Sequence, residues 1–225
     1  MKNKVLILVA HPDDETIGCG ATIAKHVSRG DKVKLLALSS GVGSRDRELA
    51  NEKKNRIKNA QKAAKTLGTE WISFGDLDDN KFDKYPLLEI VKYIESKKKK
   101  FYPNLLYTHS GYDLNVDHRI TFAAALTAFR PTNAKKVTEI RSFEIRSSSD
   151  FSHPSLSKEF TPNLFNNIDK YWNKKLKALK NYETEIMPFP HSRSIKAIES
   201  LAIHRGTQVG IKMAEAFEVI RKIDL

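Results

Sequence analysis

Short apolar runs alternate with longer amphipathic segments along most of the chain. Strands are predicted at residues 5–10, 33–38, 71–74, 105–107 and 137–140, with the fifth extending to residue 145 in a longer interpretation. Helices are predicted at residues 16–29, 46–67, 86–96, 120–129, 170–182 and 194–204. Because strands that alternate with helices form parallel sheets, the pattern predicts an α/β protein.

Two polar stretches between these elements predict loops. Residues 109–117 connect the fourth strand to the next helix, and residues 147–162, rich in Ser, Pro and Asn, form a longer loop. A loop of that length is either a functional lid or a plain connection. No repeat or linker divides the 225 residues, so we expect a single domain over residues 1–225.

Composition narrows the class of protein. Hydrophobic residues make up 40% of the chain, and no apolar run approaches the roughly 20 residues of a membrane span. The first apolar run ends too soon, and without a cleavage pattern, for a signal peptide. The single Cys19 excludes an intramolecular disulfide and a multi-cysteine zinc site. We therefore expect a soluble, cytoplasmic protein whose metal ligands would be histidines and carboxylates.

The formal net charge is +12, and most of the cations are lysines. A solvated lysine-rich surface explains this charge, and so does attraction of a phosphate-bearing substrate. Aromatic residues are not interleaved with the basic ones as in a base-stacking platform, so nucleic acid is not predicted as a partner.

An unusual group of polar residues, Ala10-His11-Pro12-Asp13-Asp14-Glu15, follows the first predicted strand. Acids after a proline are also typical of an ordinary helix N-terminus. The alternative is a metal site, because His11 and Asp14 are three residues apart across a tight turn and can converge on one point. Neutral imidazole and carboxylate are both zinc ligands.

A second group decides between these interpretations. The loop after the fourth predicted strand ends in Asp117-His118, which places His118 at a helix start beside a carboxylate. Carboxyl ends of parallel strands meet at one edge of a sheet, so His118 is the expected third ligand. The remaining histidines are interpreted as ordinary surface or core residues, namely His26, His109, His153 and His204.

The two groups together resemble the motifs of the PIG-L/LmbE family of zinc-dependent N-deacetylases. Further matches run nearly the whole length of the chain, at residues 75–76, 79–83, 182–185, 205–206 and 214–217. The resemblance implies a Rossmann-like three-layer αβα sandwich with a mainly parallel sheet.

The same resemblance implies a reaction, the removal of the acetyl group from an N-acetylated amino sugar. It makes His11, Asp14 and His118 the zinc ligands and Asp13 the general base. Zinc chemistry supports these roles, because zinc lowers the pKa of a bound water to roughly 7 and a neighbouring carboxylate accepts the proton. Another divalent metal remains open.

The chain departs from part of the family at Asn115, where those members have a histidine that helps to stabilise the intermediate. Asn115 can donate a hydrogen bond there but cannot deliver a proton. The leaving amine needs a general acid, for which Asp13 and His191 are the two candidates. His191 is equally an exposed loop histidine.

Supporting roles follow for other residues near the predicted site. Asp117 is expected to orient a neighbouring ligand, and Glu15 to support the ligands or start the helix. Candidate substrate contacts are Arg45, Arg56, Asp79 and Asn80. We expect a small amino-sugar substrate, anionic through a phosphate or nucleotide group, and the sequence leaves a homo-oligomer open.

Two alternative functions belong to other classes. One is a non-catalytic nucleotide- or sugar-binding protein that uses Gly18 and Gly20, although the Gly-x-Gly-x-x-Gly spacing is absent. The other is a different zinc hydrolase, such as an esterase or amidase. A zinc deaminase needs cysteine ligands that one Cys cannot supply.

Overall fold

The computed structural model describes residues 2–42, 49–99, 101–132, 137–155 and 158–224. Its strands are β1 (Lys4–Val9), β2 (Lys32–Ser39), β3 (Glu70–Leu77), β4 (Leu105–His109), β5 (Glu139–Phe143), β6 (Leu164–Asn167) and β7 (Ala214–Lys222). Its α-helices are α1 (Asp14–Ser28), α2 (Leu49–Leu67), α3 (Leu87–Lys98), α4 (Val116–Ala128), α5 (Trp172–Leu179) and α6 (Ile195–Thr207). Single 3-10 turns lie at Phe82–Lys84, Ser149–Phe151 and Asp169–Tyr171.

The seven described strands form one sheet in the order β3-β2-β1-β4-β5-β7-β6. Strands β1 to β5 pair in parallel, whereas β7 pairs antiparallel with both β5 and β6. The predicted αβα sandwich with a mainly parallel sheet is confirmed. The chain order reverses at β1, which lies between β2 and β4, and such a reversal opens a crevice at the carboxyl ends of the strands.

The apolar run of β1 is buried on both faces of the sheet. Val5, Ile7 and Val9 pack against the helices of one layer, which are α1, α2, α5 and α6. Leu6 and Leu8 pack against α3 and α4 on the other side. Burial on both faces explains why this strand is continuously apolar rather than alternating. Among the described helices, none combines the length and apolar character that a membrane crossing needs.

The structure differs from the sequence prediction at several elements. Strands β6 and β7 were not predicted, because charged residues interrupt the apolar positions of β7 and β6 is only four residues long. Helices α1 and α4 begin earlier than predicted, at Asp14 and Val116, so two candidate ligands, Asp14 and His118, lie within their first turns. Of the helix predicted over residues 46–67, residues 46–48 lie outside the described residues.

Helix α1 is interrupted at Cys19, whose φ and ψ of −144° and 23° are not helical. A buried ion pair compensates for the interruption. The Glu215 carboxylate accepts hydrogen bonds from two backbone N–H groups that follow the break, at 3.0 and 2.6 Å. The Lys175 ammonium donates to the carbonyl of Ile17, before the break, and to Glu215, both at 2.7 Å. The first turns of α1 are thus anchored by β7 and α5.

Candidate metal centre and catalytic cleft

The candidate site lies where β1 and β4 end side by side. His11 follows β1, Asp14 opens α1, and His118 lies in the first turn of α4, which follows β4. Because β1 and β4 are parallel neighbours, the segments that follow them share one edge of the sheet. All three side chains are buried, with at most 9% of each residue exposed.

The three predicted ligands converge in the structure. Oδ2 of Asp14 lies 3.4 Å from Nδ1 of His11 and 3.5 Å from Nε2 of His118. Each residue can offer one ligand atom to a common point, since these atoms lie within 4.8 Å of one another. Two imidazoles and one carboxylate are a donor set of catalytic zinc sites, which keep a further position for water or substrate.

Carboxylates hold the outward nitrogens of both imidazoles. Asp117 accepts a hydrogen bond from Nε2 of His11 at 2.9 Å, and Asp79 lies 3.1 Å from the same nitrogen. Asp113 lies 3.2 Å from Nδ1 of His118. Such contacts fix the tautomer in which the opposite nitrogen carries a lone pair. The sequence suggested this orienting role for Asp117, and the structure places it beside His11.

The electrostatics of the site fit a cation. Burial lowers the pKa of His118, but the carboxylates of Asp14 and Asp113 outweigh it and raise the pKa to about 9. Burial also opposes protonation of His11, yet Asp117, Asp14 and Asp79 hold its pKa well above the usual value. Positive charge on or between His11, Asp14 and His118 is therefore favourable, and protons or a divalent metal can provide it. A second possible grouping, His11 with Asp79 and Asp117, uses the other nitrogen of His11.

Glu15 shapes the loop that carries these ligands. Its side chain is fully buried; Oε2 accepts a hydrogen bond from the backbone N–H of Asp13 at 3.0 Å, and Oε1 accepts one from the Tyr182 hydroxyl at 2.8 Å. Asp13 has a φ of 123°, a backbone conformation that L-residues rarely adopt. The contacts of Glu15 help to hold this strained residue in place.

The unusual backbone of Asp13 brings its side chain to the cleft wall. Its Oδ2 lies 3.4 Å from Arg193 and 3.6 Å from Arg56. Burial and the neighbouring Asp14 raise the pKa of Asp13 to about 7, against the opposing effect of the two arginines. A carboxyl group with a pKa near neutrality can both accept and release a proton under physiological conditions.

Beside Asp13 opens a cleft of about 360 Å³. Its described lining includes His11, Asp13, Glu52, Asn55, Arg56, Asn59, Asp79, Asn80, Asn115, Thr184, Glu185 and Arg193. The predicted substrate contacts Arg56, Asp79 and Asn80 are thus brought together, whereas Arg45 lies outside the described residues. Most of these side chains are polar, which suits a hydroxyl-rich ligand.

Asn115 and His191 occupy different surroundings. Asn115 caps α4 by accepting a hydrogen bond from the N–H of Asp117 at 2.8 Å, and its amide donates to Oδ1 of Asn80 at 3.1 Å. Its side chain is therefore part of the cleft wall. His191 is exposed, accepts a hydrogen bond from the N–H of Arg193, and is not among the described lining residues.

The structure corrects the interpretation of His109 as an ordinary core or surface histidine. His109 ends β4, and its Nε2 lies 3.4 Å from Oδ2 of Asp14. Its ring stacks on that of His118, with 3.9 Å between the centroids. Burial lowers its pKa to about 4, so the ring is neutral, and Nε2 accepts a hydrogen bond from the N–H of Ala10. Its position shortly after the fourth predicted strand was the available signal.

Sequence analysis also missed Asp113, Glu185 and Arg193. Asp113 lies in the predicted loop after β4, so its closeness to His118 could have been suspected. Glu185 and Arg193 come from the segment between α5 and α6, far along the chain from Asp13, and no local pattern links them to it. Only the folded chain brings them to the cleft.

Fold and site together define an α/β protein with a candidate metal centre at the carboxyl edge of a parallel sheet. The family model described as "PIG-L: GlcNAc-PI de-N-acetylase" matches residues 6–129, more than half of the chain. The chain therefore belongs to the PIG-L family, as its motifs predicted. The match spans both groups of candidate ligands.

Individual relatives are distant. The chain is 25% identical over 186 residues to the uncharacterized deacetylase YaiS of Escherichia coli K12, covering 80% of this chain and 90% of the relative. It is 25% identical over 230 residues to diacetylchitobiose deacetylase of Thermococcus kodakarensis, with coverage of 99% and 85%.

A solved structure extends the likeness to the whole fold. GalB of Pseudomonas putida KT2440, a 4-carboxy-2-hydroxymuconate hydratase, superposes with a TM-score of 0.79 at 21% identity, covering 100% of this chain and 98% of that one. A hydratase with this fold means that the reaction must be argued from the site.

Proposed function

We propose that this protein is a zinc-dependent hydrolase that removes the acetyl group from an N-acetylated amino sugar, releasing acetate and a free amine. The observation that carries the proposal is the position of Asp13. Its carboxyl group lines the same cleft as His11 and is close enough to Asp14 for the two charges to interact, and its pKa lies near neutrality. Membership of a deacetylase family supports the same reaction.

The donor set assigns His11, Asp14 and His118 as the residues that would hold the metal. A divalent metal bound by them supplies Lewis acidity, which activates water and polarises the amide carbonyl. Zinc suits two imidazoles and a carboxylate best, and another divalent ion of similar preference can use the same residues.

Asp13 carries the proton through the reaction. As the oxygen of water bonds to the amide carbon, the carboxylate of Asp13 accepts the proton that water loses. When the C–N bond breaks, the protonated Asp13 returns that proton to the leaving nitrogen, which would otherwise depart as a strongly basic anion. This assignment needs neither His191, which is outside the described lining, nor Asn115, whose amide N–H is too weakly acidic to transfer a proton.

The cleft supports a sugar as substrate. Asn55, Asn59 and Asn80 present amide groups along its wall, and such groups can donate and accept hydrogen bonds with ring hydroxyls. A volume of about 360 Å³ lies within the range of small-molecule sites. The alternative of a non-catalytic sugar-binding protein does not explain a carboxyl group of near-neutral pKa beside a metal-ligand set.

The proposal is tested by measuring bound metal in the purified protein and then acetate release from N-acetylglucosamine and diacetylchitobiose. We expect Asp13→Asn to retain the metal but to lose activity by about 100- to 10,000-fold, since it removes the general base. Asp76→Asn is the matched control, because Asp76 is an exposed carboxylate that pairs with Lys53.

Two outcomes would contradict the proposal. One is a metal-loaded wild-type protein that releases no acetate from any sugar of the panel. The other is an Asp13→Asn variant as active as the Asp76→Asn control.

A further inference from the structure

The described lining of the cleft does not share the positive charge of the whole chain. It contains the carboxylates of Asp13, Glu52, Asp79 and Glu185 but the guanidinium groups of only Arg56 and Arg193. Residues 43–48, outside the described part, add two arginines and two acids in sequence and so no net charge. The net charge of +12, which favoured an anionic substrate, is therefore located elsewhere.

Both arginines are already paired with carboxylates of this chain. Glu185 lies between them: one oxygen is 2.5 Å from Nη2 of Arg56 and the other is 3.4 Å from Nη1 of Arg193. Oδ2 of Asp13 also lies near both guanidinium groups, at 3.6 Å from Arg56 and 3.4 Å from Arg193. The four side chains form an alternating cluster of two cations and two anions.

Groups outside this cluster also hold its two arginines in place. Arg56 donates to the carbonyl of Gly41 at 3.3 Å, and Arg193 donates to the Ser147 hydroxyl at 2.5 Å. The side chain of Glu185 is only 8% exposed and that of Arg56 only 11%. A phosphate or carboxylate of a substrate that took the position between the two arginines would have to displace Glu185. That would leave a buried carboxylate without its partners, which is strongly unfavourable.

We infer that Glu185 is a specificity-determining residue that occupies the anion position between Arg56 and Arg193, so that the part of the substrate entering the cleft is uncharged. This inference rests on the proposed function and deepens it. Selectivity of this kind is achieved by repulsion and unpaired charge against the wrong ligand rather than by added attraction to the right one.

The test compares Glu185→Gln with wild type and with Glu183→Gln, all metal-loaded. Glu183 is an exposed glutamate outside the described lining of the cleft, so its variant has the same change in charge. The first measurement is kcat/KM for N-acetylglucosamine 6-phosphate divided by kcat/KM for N-acetylglucosamine. The ratio cancels any general change in catalysis. The second measurement is calorimetric titration with sulfate, which needs no turnover. Any binding of sulfate to the metal itself is common to all three proteins and so does not affect their comparison.

We expect wild type to prefer the neutral sugar. In Glu185→Gln the two arginines lose their carboxylate partner and have N–H donors available for an anion. The ratio of kcat/KM values and the affinity for sulfate should therefore each rise by about tenfold or more. Glu183→Gln should stay within about twofold of wild type.

The inference is overturned if wild type prefers the phosphorylated sugar, or if Glu183→Gln changes the ratio as much as Glu185→Gln does. It is also overturned if Glu185→Gln binds sulfate no more tightly than wild type. Failure of all proteins to release acetate would refute the proposed function alone, because the sulfate titration still decides the role of Glu185.

Discussion

Asp113 connects the candidate metal ligand His118 to the loop after β5, which lies further along the chain and contains Ser148 and Ser149. One of its oxygens accepts hydrogen bonds from the N–H of Asn115 and the hydroxyl of Ser148. The other accepts one from the hydroxyl of Ser149 at 2.8 Å and lies 3.2 Å from Nδ1 of His118. The residue is 1% exposed, so water cannot replace these partners. We predict that Asp113→Asn weakens metal binding.

The magnitude follows from the number of donors around the carboxylate. Asparagine has one acceptor oxygen, and its NH₂ group must face either His118 or the N–H of Asn115. Facing His118, it meets a donor, unless the imidazole moves its proton to Nε2, the nitrogen that would bind the metal. Facing Asn115, it breaks the backbone hydrogen bond and displaces the loop. Loss of such a supporting contact weakens metal affinity about 10- to 100-fold, or about 1.4–2.8 kcal/mol.

The affinity is measured by titrating metal-free protein with Zn²⁺ in competition with a chromophoric chelator, which requires no turnover. Asp150→Asn is the matched control, because Asp150 is an exposed acid next to the same serines and pairs with Arg146. The reasoning is refuted if Asp113→Asn, with wild-type circular dichroism, binds Zn²⁺ as tightly as the Asp150→Asn control.

Two further predictions concern stability. Lys175→Met leaves the buried carboxylate of Glu215 without its cation and should lower the free energy of unfolding, measured by urea denaturation, by about 3–5 kcal/mol. The control Lys177→Met, at an exposed lysine of the same helix, should change it by less than about 0.5 kcal/mol. Equal urea midpoints for the two variants would exclude the proposed anchoring of α1. Burial lowers the pKa of His26 in the folded protein, so the unfolded chain binds the proton more tightly. The stability due to neutral His26 is therefore fully present above the unfolded pKa of about 6.5 and is lost as the pH falls from there through the lower pKa of the folded state. The loss of stability between pH 7.5 and 5.5 should therefore be smaller in His26→Asn than in wild type, and an unchanged loss would contradict this assignment.

The organisation of the fold was largely readable from sequence. The five parallel strands and most helices follow from local periodicity, because β1 must be apolar on both faces and each helix must present an apolar stripe to the sheet. The antiparallel edge was not readable. Glu215 of β7 is charged and yet buried, and this makes sense only beside Lys175 and the interrupted α1.

The residues of the candidate site also divide into those that the sequence predicted and those that only the structure revealed. His11, Asp14 and His118 could be proposed from sequence alone, because residues that follow neighbouring parallel strands must meet at one edge of the sheet. Asp13 entered as the base through its adjacent position and through the family resemblance. Local sequence therefore determined the strand ends and the chemistry placed on them.

Tertiary structure alone decided which other residues act on those groups. Arg193 and Glu185 reach Asp13 from beyond α5, and Ser148 and Ser149 reach Asp113 from the loop after β5. Contacts between distant segments depend on how the helices pack on the sheet, which no local pattern encodes. For the same reason the net charge of the chain did not predict the charge of its cleft. Net charge is a sum over the whole sequence, whereas folding places positive and negative side chains on different parts of the surface.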